Sequence, residues 1–174
     1  VVHLQPMHWK DGWPVIGVDM DMNGIGEPVE AWRKPAVKKE TKILLPATSD
    51  TFEGKELGLQ WQFNHNPVDE AWSLTERKGM ITFHALKADN FKVARNTLTQ
   101  KTMGYTGTAT VKMIWSSKEM TDGQRCGLAC IGKQNWTLGV MQEAGKRYVY
   151  LEKDNEVIQK VPAKGSVVYL RMEA

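Results

Sequence analysis

The chain of 174 residues carries 41% hydrophobic and 25% charged side chains with 15 Gly and 7 Pro, a globular composition that excludes a disordered, collagenous or membrane-embedded chain. Twenty-three Lys and Arg against 20 Asp and Glu leave a net charge of +3, too small and too scattered for the cationic stripe that draws in a polynucleotide, so no nucleic-acid partner is expected. A chain of this length normally buries roughly 70% of the surface its unfolded form exposes, so folding requires neither a disulfide nor a structural metal.

The first residues, Val1-Val2-His3-Leu4-Gln5, have neither the charged nor the apolar region of a targeting peptide. No apolar run approaches the ~18 residues that span a bilayer, so the sequence reads as soluble and without a membrane partner. A start without Met reads as an excised or processed segment. Two apolar stretches follow, around Met7-His-Trp-Lys-Asp-Gly-Trp-Pro14.

Next comes Asp19-Met-Asp21-Met-Asn23-Gly24, with Glu30 completing the ligand spacing of an EF-hand loop. Asp19, Asp21, Asn23 and a bidentate Glu30 are hard oxygen donors, which makes calcium a candidate ligand although none is required. An EF-hand loop is framed by two helices. Here Trp13-Pro-Val-Ile-Gly-Val18 is strand-like and Ala31-Trp-Arg-Lys-Pro35 is interrupted by proline, so a polar turn at Asn23-Gly24 is the competing reading.

Residues 27–50 carry Pro28, Pro35 and Pro46 among Lys34, Lys38, Lys39 and Lys42. Proline denies a ladder donor, so this span reads as an extended linker and not as a central strand.

From residue 50 onward, short segments rich in Val, Ile, Thr, Trp and Tyr alternate in polarity between Gly, Asn or Asp turns. The spacing predicts strands over 61–65, 94–100, 108–115, 125–131, 136–142 and 166–172. It also predicts a hairpin of 72–77 with 80–86 about Lys78-Gly79, and another of 148–152 with 157–161 about residues 153–156. No window sustains a 3.6-residue apolar period, and strands recurring about every ten residues favour an all-β two-sheet sandwich. Cys126 and Cys130, about 13 Å apart at strand rise, are too distant for a disulfide and are expected to be small buried hydrophobes.

Self-contained catalytic motifs are missing: there is no GxSxG, HExxH, P-loop or Rossmann fingerprint. The four His are isolated from one another in sequence. Asp69, Glu70 and Glu76 are the candidate acids for sugar hydrolysis, which needs two carboxyl groups flanking the bond, but they sit in turns and strand faces where solvated charge is normal. Indole rings can stack on pyranose faces as readily as they pack in a core, so Trp61 and Trp72 are candidate carbohydrate-binding residues with core packing as the competing reading.

Several blocks together resemble the C-terminal domain of glycoside hydrolase family 43, the β-xylosidase and α-L-arabinofuranosidase group. They are Asp50-Thr-Phe52 with Leu57-Gly-Leu-Gln-Trp-Gln-Phe-Asn-His-Asn-Pro67, then Trp72-Ser-Leu-Thr-Glu-Arg77, Ala94-Arg-Asn-Thr-Leu-Thr-Gln-Lys101, and Met120-Thr-Asp-Gly123 with Gly127-Leu-Ala129. Leu4-Gln-Pro6, Trp9-x-Asp-Gly-Trp-Pro14 and Gly24-Ile-Gly-Glu-Pro-Val29 are similar to the tail of that family's five-bladed β-propeller. The resemblance implies a propeller remnant over 1–30, a linker over 31–49, and a concanavalin A-like antiparallel β-sandwich over 50–174 that stops short at its C-terminal end. It also implies that the family's two Asp and one Glu lie in the propeller, upstream of Val1, so none falls on this chain.

The expected role is a non-catalytic accessory sandwich that supports the propeller of an inverting enzyme. The alternatives are an independent carbohydrate-binding module for xylan or arabinan oligosaccharides and a calcium-stabilised structural domain. Exposed strand edges would favour pairing of two copies, and the family points to a periplasmic or secreted location. One departure from the pattern is Arg125-Cys126, where small residues are usual before Gly127.

Overall fold

The computed structural model describes residues 3–34, 42, 44–115 and 120–173. The chain divides into two compact units, Val1–Leu44 and Leu45–Ala174. Of the span expected to be a linker, Pro35, Lys38 and Lys39 lie outside the described residues.

The first unit is built on one hairpin, in which β1 (Met7–Lys10) pairs antiparallel with β2 (Trp13–Ile16). Asp11 and Gly12 both adopt positive φ, 50° and 80°, forming the two-residue turn whose twist matches that of paired strands. The register places His8, Lys10, Trp13 and Val15 on one face and Met7, Trp9, Pro14 and Ile16 on the other. Val15 is buried, whereas Met7, Trp9 and Ile16 are 51%, 67% and 63% exposed. Beyond β2, Val18 and Glu27 exchange both backbone hydrogen bonds, at 2.9 and 3.0 Å, and close the loop between them.

In the second unit the strands are β3 (Gln62–Phe63), β4 (Trp72–Ser73), β5 (Thr82–Phe83), β6 (Leu98–Thr99), β7 (Thr108–Ile114), β8 (Arg125–Cys130), β9 (Trp136–Glu143), β10 (Lys146–Lys153), β11 (Glu156–Pro162) and β12 (Val167–Glu173). The expectation of an all-β architecture holds. Among the described residues there is no α-helix, and 3-10 turns occur at Asp69–Ala71 and Phe91–Val93. The four long strands expected between 108 and 142 and at 166–172 form almost to the residue.

The earlier ladders are much shorter than expected. β3 pairs β6 over two residues, and the 72–86 hairpin reduces to Trp72 with Phe83 and Ser73 with Thr82. In the hairpin the Ser73 hydroxyl accepts the Thr75 and Glu76 N–H groups at 3.1 and 3.0 Å, so a side-chain turn takes the donors that a ladder would need.

β11, β10, β9 and β8 form one antiparallel sheet in that order, and β7 pairs with β12. Ala144-Gly145 and Asp154-Asn155 join β9 to β10 and β10 to β11, all four residues with positive φ, so the second turn is tighter than the four-residue loop expected. Alternation in the β7–β12 ribbon runs from the Thr108–Glu173 pair to the Met113–Val168 pair and breaks at the last pair, apolar Ile114 with Val167. Ala109, Val111 and Met113 share a face with Met172, Leu170 and Val168, and Thr108, Thr110 and Lys112 share the opposite face with Glu173, Arg171 and Tyr169. Val140 at 0% and Leu170 at 2% exposure are the most deeply buried large side chains.

Gly127 on β8 faces Gly139 on β9, which faces Tyr150 on β10. The backbones meet so closely that a Cβ on Gly139 would lie inside the van der Waals shell of the Cys126 carbonyl oxygen, and one on Gly127 would overlap that of Leu138. The bare row also opens a path. Arg125, two pairs along on β8 and so on the same face, reaches diagonally across Gly139 to an ion pair with Glu152 on β10, its guanidinium 5.6 Å from the centre of the Tyr150 ring. Glu152 is buried, so Arg125 supplies the partner without which that charge would be costly. This is the physical reason for a long cation where the family pattern has small residues.

The expectation that both cysteines are buried is corrected by the structure: Cys126 and Cys130 are exposed. They lie on β8, which is an edge of the four-stranded sheet, so alternation there does not bury a whole residue. The Cys126 thiol still turns inward, donating to the Val140 carbonyl at 3.9 Å, and burial pushes its pKa up.

Gly139→Ala should lower the urea midpoint by the equivalent of about 3 kcal/mol, whereas Gly107→Ala, which meets no neighbouring atom, should change it by less than about 0.5 kcal/mol. A second outcome concerns pH. Burial pushes the Tyr150 phenol well above its usual range, the Glu152 charge adds to this and the Arg125 charge opposes it. The folded state then holds that proton more tightly than the unfolded state. Its stabilisation is therefore complete below about pH 10 and is lost as the pH rises further, a decline that Tyr150→Phe should flatten in alkaline urea titrations.

Candidate functional site

The strongest candidate site lies where two separated segments of the second unit are bound together at the ends of β3 and of the second 3-10 turn. An open bowl of about 660 Å³ is lined there by Asn64, His65, Asn66, Val93 and Arg95. The turn is set locally: the Asn90 side chain accepts the Lys92 N–H at 3.0 Å, and the Ala94 N–H donates to the Phe91 carbonyl at 3.2 Å. That leaves the Lys92 carbonyl free to accept from Asn64 Nδ2 at 2.9 Å and to lie 2.7 Å from His65 Nε2.

A carbonyl only accepts, so His65 Nε2 carries the proton of that contact, and in that tautomer Nδ1 is the acceptor. Asn64, with one amide N–H spent on that carbonyl, keeps the other N–H and Oδ1. On the opposite wall, Arg95 donates from Nε to the Asn66 carbonyl at 2.9 Å and from Nη2 to the Pro67 carbonyl at 3.2 Å, while Nη1 keeps its N–H donors. The bowl therefore presents fixed acceptors beside fixed donors, with the exposed Val93 as its apolar part. Among the described residues no carboxylate lines it, so it offers a hydroxyl-rich molecule contacts without an acid and base to break a bond.

Trp61 and Trp72 are placed elsewhere. Trp61 donates its indole N–H to Asp50 at 2.8 Å and lies 5.5 Å, centre to centre, from Phe52. It borders a hollow of about 400 Å³ with Pro46, Leu59, Gln62, Gln100 and Met103, again without a carboxylate. Trp72 packs at 5.2 Å against Phe63, and its indole N–H is buried with no partner among the described residues. The candidate acids are dispersed: Asp69 and Glu70 are exposed on the first 3-10 turn, and Glu76 pairs with His84 at 2.9 Å.

In the first unit, the candidate calcium loop is tied by its own hydrogen bonds. Asp19 Oδ2 accepts from the Gly24 N–H at 2.9 Å and from the Lys10 ammonium at 3.3 Å. Asp21 accepts from both the backbone and side chain of Asn23 at 3.2 and 2.9 Å, and Asn23 Oδ1 accepts the Ile25 N–H at 2.7 Å. Glu30 is exposed, and it is Glu27 that caps the loop by accepting the Met20 N–H at 3.2 Å. Asp19 Oδ1 is buried without a partner, and no group of three or more His, Cys, Asp or Glu is placed to hold a metal among the described residues. Partial burial pushes the Asp19 carboxyl up, but the Gly24 and Asn23 N–H groups and the Lys10 charge outweigh it and hold the pKa below the ordinary value.

Sequence reasoning missed the bowl. His65 and Arg95 stand 30 positions apart, and only their presence in two separate blocks of the family resemblance hinted that the segments belong together.

The model of the β-xylosidase C-terminal concanavalin A-like domain matches residues 49–174. A protein of Xylanibacter ruminicola named for β-xylosidase activity is 43% identical over 166 residues, covering 95% of this chain and 29% of its own length. A β-xylosidase of Formosa agariphila is 38% identical over 170 residues, covering 84% of this chain and 28% of its own length. Among solved structures, a bifunctional GH43-CE protein of Bacteroides eggerthii matches with a TM-score of 0.73 at 32% identity, over 98% of this chain and 22% of its own. The chain thus spans less than a third of the length of these relatives.

The Asp19 loop makes its own test. The Gly24 amide resonance should titrate with a midpoint below the ordinary carboxylate value of about 3.9, the loop's stabilisation being intact above that pH and lost as the pH falls through the folded pKa. With Lys10 as the loop's cation, neither calcium nor chelator should move that resonance at neutral pH. A saturable calcium shift would instead identify a calcium loop.

Proposed function

Because the chain belongs to the family of β-xylosidase C-terminal concanavalin A-like domains, we propose that it is the non-catalytic accessory sandwich of a glycoside hydrolase that cleaves xylosidic or arabinosidic bonds, supporting a catalytic propeller. The observation that carries this reading is the chemistry of its hollows. Inverting hydrolysis needs an acid and a base about 6.5–9.5 Å apart across the scissile bond, and the two hollows described above are lined by neutral or basic side chains among the described residues.

The surfaces supply the other half of the argument. Met7, Trp9 and Ile16 in the first unit, and Leu59, Met103 and Tyr105 in the second, are largely exposed apolar side chains of the kind an interface buries. The alternative, an independent carbohydrate-binding module using Trp61 or Trp72, draws less support, since both indoles are engaged with phenyl rings of their own unit.

The 174-residue chain should show no turnover of nitrophenyl β-xyloside or nitrophenyl α-arabinofuranoside above buffer, and hydrolysis at enzyme-like rates would overturn the non-catalytic assignment. Removing the sandwich from the full-length protein should lower the melting temperature of what remains by about 5 °C or more. An unchanged transition would count against a supporting role.

A further inference from the structure

We propose that the bowl of Asn64, His65 and Arg95 is a sugar subsite that reads the adjacent hydroxyl groups of one neutral pentose or hexose unit. This rests on the accessory reading above and assigns it a ligand-contacting surface. The side chains that line it are anchored by backbone carbonyls. One carbonyl, that of Lys92, holds both Asn64 Nδ2 and His65 Nε2, and two more, from Asn66 and Pro67, hold Arg95 Nε and Nη2.

What remains is defined by subtraction: acceptors at Asn64 Oδ1 and His65 Nδ1, donors at Arg95 Nη1 and in the second N–H of Asn64 Nδ2 and of Arg95 Nη2, and the Asn66 side-chain amide, which brings one donor group and one acceptor. Each hydroxyl of a vicinal diol both gives and takes a hydrogen bond, so such a pair can donate to the acceptors and accept from the guanidinium at once. A carboxylate or phosphate could use the donors but not the acceptors, whereas a diol uses both, so the mixed set favours a neutral polyol over an anion. Val93, 48% exposed in the same lining, offers a ring C–H face its apolar contact. Because the polar side chains are already anchored, binding costs little further rotamer freedom.

The test is an amide-resolved NMR titration of the 174-residue chain with methyl β-xyloside and xylotriose, repeated with the 2,3-di-O-methyl ether of the monosaccharide. Saturable shifts should centre on residues 64–67 and 92–95. Methylating the two hydroxyls should weaken binding about 10-fold or more, and His65→Phe and Arg95→Met should each weaken it by a similar factor while amides elsewhere stay in place. The sugar-side comparison keeps the test valid if a variant fails to fold.

Equal affinity for the methylated sugar, shifts centred on the Trp61 or Trp72 indole N–H, or no saturable shift up to the solubility of the sugar would each overturn the subsite. Failure of the accessory reading shows separately, as hydrolysis of nitrophenyl glycosides, and leaves the binding result standing.

Discussion

The bare backbone crossing at Gly127 and Gly139 is the constraint on which the sandwich depends. A sheet ordinarily fills the space above each strand with side chains, and here the central row carries none until Tyr150. That vacancy allows one long cation to pass over β9 and neutralise an acid two strands away. Glu152, Tyr150 and Arg125 are therefore not three independent choices. The buried carboxylate requires the guanidinium, the guanidinium requires the glycine row to reach it, and the ring beneath gives the cation a face to lie on. Central strands β9 and β10 can then be buried on both faces around Val140 and Tyr150 without an unpaired charge between them.

At the other end of the unit the physics changes from sheet to local hydrogen bonding. β3 and β6 exchange pairs over only two residues before side chains take over the work of the ladder. The Asn64 N–H still reaches the Thr97 carbonyl, but the Asn64 and His65 side chains turn to Lys92, and Arg95 turns to the carbonyls that follow. A strand that continued here would have consumed these backbone groups in regular pairing. Its early end frees carbonyls to orient polar side chains, and that is how a shallow surface becomes an ordered one.

This difference explains what could be read from the amino acids alone. Long strands such as Thr108–Ile114 and Val167–Glu173 announce themselves through alternation, because one whole face must be apolar. The Asp11-Gly12 hairpin was equally available in the Asp-Gly turn signal, although residues 1–22 read only as apolar stretches. The cysteines failed for a different reason, since alternation assigns a face but not a place in the sheet, and β8 lies at an edge. The bowl depends on contacts between residues almost thirty positions apart, and no periodicity carries that information. In the Asp19 loop, oxygen donors at alternate positions suit a calcium loop and a chain of Asx turns alike. What separates the two is the neighbouring Lys10, placed opposite Trp13 by the hairpin register.

The composition of the two hollows bears on why such a domain would accompany a hydrolase at all. Glycoside cleavage holds one carboxyl group protonated and another ionised within a few ångströms, an arrangement sensitive to every nearby charge. An accessory surface brought near such a pair does least harm if its own ligating groups are neutral or firmly anchored. The bowl meets this condition: Asn64 is uncharged, His65 is engaged through one nitrogen, and Arg95 is held by two backbone carbonyls instead of an acid. Among the described residues of the second unit, the ion pairs Arg125–Glu152, Lys160–Glu143 and Arg171–Glu173 and the Glu76–His84 contact involve none of the residues that line the bowl. In the proposed subsite, the groups that would contact a sugar are thus distinct from those that balance charge, so the first could be varied without unsettling the second.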